Sequence, residues 1–338
     1  MTDPARRLGP VVRLAPAKLN LTLAVVGRRP DGYHALHSIM APLGLADRLS
    51  LAPAAGTGDT LYVVADGPDQ AALGPAQDNL VLRAIALARA ALGGALPTPA
   101  LAARLEKRIP VAAGLAGGSS DAAAALDGAL EAWGAGADAV LSGRERHALA
   151  ARLGSDVPFF LAGGLAVVEG RGELVTLLPD AIRGEPPGIL LVSPRIAVPT
   201  PAVFAALAAS GAALNGATRQ TSEHLAGELR RGLTAQALHD RAGILASAND
   251  LLPASAAIEP GIVPFRRALA RLTGRPIGLS GSGPSLWVLY PSVEAARAAE
   301  AVVQQAVASG SLVAPGDRRP FVMATFIATG QTPAGIVA

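Results

Sequence analysis

The segment Pro110-Val111-Ala112-Ala113-Gly114-Leu115-Ala116-Gly117-Gly118-Ser119-Ser120-Asp121-Ala122 combines small residues, two hydroxyls and an acid, and runs straight into an Ala-rich stretch ending near Trp133. Small side chains let a backbone approach a phosphate closely, and a helix N-terminus offers unpaired N–H donors with a partial positive charge. The combination points to an anion site, with the triphosphate of a nucleotide as the natural anion. Neither of two common phosphate loops fits. No Gly-Lys-Ser/Thr follows the glycines, and the Gly-x-Gly-x-x-Gly spacing with its later acid is missing. The same residues also fit a plainer role, a strand-to-helix turn capped by Ser119 or Ser120 with Asp121 set against the helix dipole.

Four further groups carry chemistry. Lys18, Asn20 and Thr22 share one face of a strand whose other face holds Leu19, Leu21, Leu23 and Val25. That polar row either meets a ligand or faces solvent. Asp156 precedes the apolar run Val157-Pro158-Phe159-Phe160. A carboxylate desolvated there requires a cation, and Lys18 is the candidate; capping a turn before Pro158 is the alternative. Gly32-Tyr33-His34 sets an aromatic ring beside an imidazole, which suits stacking on and hydrogen bonding to a nucleobase, or simply an exposed loop. Gly281-Ser282-Gly283-Pro284-Ser285 is either a close backbone approach to a ligand or a hairpin turn.

The elements that must position these groups alternate between strand and helix. Strands are expected at Val11–Gly27, Leu49–Leu51, Leu61–Val64 and Leu101–Lys107, with helices over Asn79–Leu92 (closed by Gly93-Gly94), from the glycine loop to Trp133, and over Arg144–Leu153. A hairpin pairs Phe159–Val168 with Glu173–Leu178. The Gly184-Glu185-Pro186-Pro187-Gly188 stretch is the expected boundary between residues 1–184 and 185–338. Beyond it come a strand at Ile189–Val192, a helix opened by Pro199-Thr200-Pro201 and two to three helices over Ser222–Leu272. A strand–turn–strand over Ile277–Tyr290, a helix over Glu294–Ala308 and a strand at Phe321–Ala328 complete the chain. The class is α+β in two halves.

Composition removes several functions. There is no Cys, hence no disulfide, thiolate metal site or cysteine nucleophile. The five His residues (34, 37, 147, 224 and 239) lack metal-ligand spacing, and no Gly-x-Ser-x-Gly elbow is present. The net charge is only +3 and the Arg pairs are scattered, so no basic stripe for nucleic acid emerges. Met1–Arg13 lacks the apolar core of a signal peptide, and no apolar run reaches membrane-spanning length, which predicts a cytoplasmic protein.

In this order the motifs resemble the GHMP small-molecule kinases: a polar strand, then Pro-x-x-x-Gly-Leu-x-Gly-Gly-Ser-Ser-Asp-Ala, then a late Ser-Gly-Ser-Gly. Four segments are similar to the branch acting on 4-diphosphocytidyl-2-C-methyl-D-erythritol. They are Pro16-Ala17-Lys18-Leu19-Asn20-Leu21, Arg29-Pro30-Asp31-Gly32-Tyr33-His34, Leu153-Gly154-Ser155-Asp156-Val157-Pro158-Phe159 and Ile196-Ala197-Val198-Pro199-Thr200-Pro201.

The resemblance implies an N-terminal domain like the second domain of ribosomal protein S5 and a ferredoxin-like C-terminal domain. It implies phosphorylation of the 2-hydroxyl of the methylerythritol moiety by ATP with Mg2+, in mevalonate-independent isoprenoid precursor synthesis. Asp156 would be the base and Lys18 its charged neighbour. Pro110 to Asp121 would wrap the ATP phosphates, with Asn79 also contacting the nucleotide. Tyr33 and Phe204 would sandwich the cytosine, His34 would hydrogen-bond it, and Asn20 and Thr200 would complete the acceptor site. Metal ligands are not assigned, and the chain is expected to be a monomer or homodimer. Homoserine or mevalonate-type kinases are the nearest rivals, though their substrates have no nucleobase for Tyr33, His34 and Phe204; a non-catalytic nucleotide-binding regulator and an RNA-binding protein are further ones. Two departures stand out. Ala112, Ala113 and Ala116 replace glycines common in relatives, and Gly278-Leu279 precedes Ser280 where relatives often carry Ala-Arg-Met.

Overall fold

The structure is a computed structural model and describes residues 10–65, 75–135, 140–211, 216–316 and 318–329. The first strand, β1 (Val11–Arg28), pairs antiparallel along its whole length with β2 (His34–Pro53) through the Arg29–Tyr33 turn. Only Leu49–Leu51 of β2 is expected as strand from the sequence; the strand runs through Pro42 and Gly44 as well. Gly44 has a packing reason: a Cβ there would lie 2.4 Å from the Phe326 ring. The pair β1–β2 anchors a six-stranded sheet ordered β3 (Thr60–Val64), β4 (Leu101–Glu106), β2, β5 (Ala166–Gly170), β6 (Leu174–Leu177).

The helices against this sheet form from local signals. Helix α1 (Leu80–Leu92) is capped by Asn79, whose side chain accepts from Val81 N at 2.9 Å, and it ends at Gly93 in the left-handed region. Helix α2 (Gly117–Ala132) buries its alanines between α1 and the sheet, and α3 (Gly143–Leu153) opens on a Ser142/Glu145 capping box. One expectation is corrected here. The segment after Asp156 does not begin a strand at Phe159; Pro158 seeds a short helix, α4 (Val157–Ala162), and the strand starts at Ala166.

The second half builds a four-stranded antiparallel sheet ordered β10 (Gly278–Leu279), β11 (Leu286–Tyr290), β8 (Gly188–Ser193), β12 (Phe321–Phe326). A further two-stranded parallel ladder joins β7 (Ile182–Arg183) to β9 (Leu233–Thr234). Helix α5 (Thr200–Ala209) opens at the expected Thr200-Pro201. The stretch expected to hold two to three helices holds five: α6 (Ala217–Arg230), α7 (Ala235–His239), α8 (Ala242–Ser247), α9 (Leu252–Ile258) and α10 (Ile262–Thr273). Helix α11 (Val293–Ala308) packs on β8 and β12. The fold is α+β, as expected.

The Gly278 departure is explained by packing. A Cβ at 278 would stand 2.1 Å from the Trp287 ring, whose residue is fully buried, so this chain pairs a tryptophan with a glycine across β10 and β11. No helix among the described residues is long and apolar enough to cross a membrane.

Candidate active site

A cleft of about 1060 Å³ collects residues from both halves of the chain. Lys18 and Asn20 of the polar row of β1 line it, and that row is not solvated: Lys18, Asn20 and Thr22 are 4%, 2% and 1% exposed. A lysine this deep needs partners. Its ammonium donates to Asn20 Oδ1 at 2.8 Å and stands 3.7 Å from Asp156 Oδ2. Asn20 in turn donates to Ser38 Oγ at 2.8 Å, and Ser38 donates to the Thr22 carbonyl at 2.6 Å. The row continues through Thr22 Oγ1, 2.7 Å from Ser222 Oγ, which also meets His37 Nδ1 at 2.8 Å. These bonds fix the Lys18–Asn20 pair before any ligand arrives.

Asp156 sits at the N-terminus of α4, and its side chain makes no cap hydrogen bond, which removes the turn-capping alternative. Its carboxylate is 29% exposed and opens into the cleft beside Lys18. An exposed acceptor next to a buried ammonium can hold a hydroxyl and take its proton.

The glycine loop crosses one wall. Ala116 takes the N-cap position of α2 with φ 55° and has no side-chain oxygen to offer. Ser119 and Ser120 lie inside the first turn, so neither caps the helix. The first-turn N–H groups are left for a ligand, which is the arrangement an anion site requires. Ala112 also stands at φ 55°, a conformation that favours glycine. Of the expected loop residues, Pro110 to Gly114, Ala116 to Ser119 and Asp121 line the cleft, as does Asn79. Leu115 and Ser120 do not; both point into the protein and are 1% exposed.

The late glycine turn serves the site by packing on the loop. Ser280 Oγ donates to the Gly114 carbonyl at 3.0 Å, Ser285 N donates to the Ala113 carbonyl at 3.2 Å, and Gly281 to Gly283 line the cleft. Asn249, which the sequence does not flag, holds the turn by donating to the carbonyls of Leu279 and Gly281 at 3.0 and 2.9 Å. Thr200 Oγ1 meets Ser282 Oγ at 2.8 Å, tying the start of α5 to the same turn.

At the other end of the cleft the His34 and Phe204 rings stack at 5.0 Å between centroids and 21° between planes. Tyr33 is 53% exposed and carries the Arg171 guanidinium over its ring at 5.4 Å. Burial, aided by the charge of Arg28, holds the His34 imidazole below its ordinary pKa. Arg28 and Arg171 line the cleft and were missed in the sequence, since single arginines beside turns look like surface charge. Lys107 and Asp47 were missed as well; both form a buried cluster with Asp121 under the loop.

The small-residue loop ahead of α2, the buried ammonium beside a cleft-facing carboxylate and the α+β topology of two sheets belong to a chain with the GHMP kinase fold. The model of the GHMP kinases N terminal domain matches residues 79–164, a span that begins at Asn79 and includes the loop and Asp156. A protein of Pelotomaculum thermopropionicum named 4-diphosphocytidyl-2-C-methyl-D-erythritol kinase is 39% identical over 289 residues, covering 85% of this chain and 91% of the relative. A crystal structure of 4-(cytidine 5'-diphospho)-2C-methyl-D-erythritol kinase superposes with TM-score 0.65 at 31% identity, covering 94% of this chain and 99% of that one. The chain belongs to the 4-diphosphocytidyl-2-C-methyl-D-erythritol kinase family. Homoserine kinase from Cytophaga hutchinsonii shares the fold, with TM-score 0.67 at 18% identity and 97% of each chain covered.

Proposed function

We propose that this chain transfers the γ-phosphoryl group of ATP to the 2-hydroxyl of 4-diphosphocytidyl-2-C-methyl-D-erythritol, releasing ADP, within mevalonate-independent isoprenoid precursor synthesis. The observation that carries this reading is the single cleft. It brings together the small-residue loop ahead of α2, the Lys18–Asp156 pair and the aromatic group Tyr33, His34 and Phe204. Family membership supports the same substrate.

Phosphoryl transfer asks a protein mainly for positioning and charge stabilisation. The loop Pro110 to Asp121 and the open first turn of α2 hold the triphosphate, with Asn79 at its nucleoside side. Asp156 accepts the proton of the 2-hydroxyl, while Lys18, fixed by Asn20, steadies the carboxylate and the reacting oxygens. The cytosine lies against Tyr33 and Phe204, with a hydrogen bond from His34, and Thr200 completes the acceptor site. Among the described residues no three His, Cys, Asp or Glu side chains converge, and a Mg2+ arriving with ATP would be held chiefly by the nucleotide itself. When bound, that ion neutralises phosphate charge as the group moves.

We further propose division of the chain near residue 184, a cytoplasmic location, a monomer or homodimer, and no nucleic-acid partner. The test is ADP release from Mg-ATP with and without 4-diphosphocytidyl-2-C-methyl-D-erythritol. Release that depends on this acceptor supports the reading. Release with homoserine or mevalonate instead would replace the acceptor, and ATP binding without turnover on any alcohol would favour a regulator.

A further inference from the structure

Asp121 closes the loop assigned to the triphosphate, but its buried charge and its partners Lys107 and Asp47 have no part in the reaction as described. Lys107 lies between Asp47 and Asp121, with the three side chains 6%, 0% and 4% exposed. Its ammonium donates to Asp121 Oδ2 at 2.6 Å and to Asp47. Asp47 Oδ1 also accepts the backbone N–H of Arg108 and, at 2.8 Å, that of Ile109. Asp121 Oδ1 is buried and has no partner. The cluster thus ties β2, the entry to the loop and the first turn of α2 into one clasp. Lys107 and Asp121 both line the cleft, and a Cβ on Gly117 in the loop would lie 3.2 Å from the Lys107 ammonium.

One ammonium can neutralise one carboxylate. A second carboxylate in the same dry site is a surplus negative charge, and burial penalises it heavily. Backbone donors already fill the Asp47 oxygen, so the surplus falls on Asp121, whose free oxygen is unsupported. Burial pushes the Asp121 carboxyl up to about 7, with Lys107 pulling it down and Asp47 pushing it further up. Burial works against the charge on Lys107 too, but Asp121 and Asp47 outweigh it and hold its pKa above the ordinary lysine value. The other titratable or charged groups on the cleft wall are Lys18 and Asp156, which stand 3.7 Å apart as an ion pair, and Arg28, His34 and Arg171 around the aromatic group.

A triphosphate arriving on the loop adds negative charge beside this cluster. We propose that Asp121 is a positioning residue for ATP that takes up a proton from solvent as the triphosphate binds, so that nucleotide affinity falls as the medium becomes more alkaline. The inference rests on the reading of this cleft as an ATP site.

Calorimetric titration of the protein with Mg-ATP near neutral pH, without acceptor and in two buffers of different ionisation enthalpy, measures the proton directly. The wild type should take up a fraction of a proton, and Asp121→Asn none. The KM for ATP of the wild type should rise several-fold between about pH 6 and pH 8, whereas that of Asp121→Asn should stay level. Absence of ATP binding by the wild type would sink the ATP reading itself. ATP binding without proton uptake, or an Asp121→Asn variant that follows the wild-type pH profile, overturns the inference alone. The wild-type measurement stands even where the variant folds poorly.

Discussion

The Lys18 ammonium stands 3.7 Å from Asp156 Oδ2 while donating to Asn20 Oδ1 at 2.8 Å, so one buried cation is shared between a fixed amide and a cleft-facing carboxylate. Their side chains are 5% and 29% exposed, respectively. The ammonium is therefore the more enclosed member of the pair, and the carboxylate is the one that faces a ligand in the cleft. Asp156→Asn should lower kcat roughly 100-fold or more, the range for losing a general base. Steady-state ADP release checks this, and a near-normal kcat would remove Asp156 from the role.

His34 stacks on Phe204, and burial together with the nearby Arg28 charge holds its pKa below the ordinary histidine value. A neutral imidazole offers one donor and one acceptor to a base edge. His34→Ala should raise KM for the cytidylyl acceptor roughly tenfold, the worth of about one hydrogen bond, while leaving KM for ATP unchanged. Because its pKa is lowered, the wild-type acceptor KM should begin to rise only as pH falls below the ordinary histidine range. An equal loss for both substrates would contradict base recognition.

Ala112 and Ala116 carry positive φ in the loop. A left-handed L-residue costs about 1–2 kcal/mol, so Ala112→Gly or Ala116→Gly should stabilise the protein by about 1 kcal/mol after the entropy of glycine is counted. Thermal unfolding of each variant measures this. A lower Tm in both would show that the loop carries no such strain.

Gly114 is the reverse case. A Cβ there would lie 2.6 Å from the Ser280 carbonyl oxygen and 2.7 Å from that of Gly283, with φ at +75°. Gly114→Ala should push the late glycine turn off the loop, costing about 1–3 kcal/mol of stability. It should also raise KM for ATP; a variant with wild-type Tm and KM would mean the contact can relax freely.

Asp121 carries a pH signature in stability as well as in binding. Its folded pKa lies above its unfolded value, so the folded state holds this proton longer. The stability it allows is complete below the unfolded carboxyl pKa of about 4 and declines as pH rises towards about 7. Asp121→Asn removes that decline. The Tm of the variant should gain on the wild type steadily from about pH 4 to pH 7 and then hold level. A constant gap across this window would show that the carboxyl does not titrate there.

Much of the local architecture is readable from short patterns. Asn79 and Gly93 bound α1, the Ser142/Glu145 box opens α3, and Pro199-Thr200-Pro201 opens α5, because caps and prolines act within one turn of chain. Three elements misled for a physical reason. β2 extends well before Leu49 because Gly44 packs against Phe326 from a distant strand, Phe159 follows a helix-seeding proline instead of opening a strand, and residues 217–273 hold five helices where two to three are expected.

What the sequence by itself determined was the chemical inventory: the small-residue loop before a helix, the alternating Lys18-Asn20-Thr22 row, the acid at 156 and the Tyr33-His34 pair. Residue type and spacing fix these because they depend only on neighbours along the chain. Tertiary structure alone decided that the polar row is buried rather than wet, that Asp156 rather than another acid meets Lys18, and that the turn at 281–283 closes on Gly114. It also placed Lys107 between Asp47 and Asp121. Burial and charge pairing are properties of distant segments brought together by packing, and no local pattern along the chain encodes that distance.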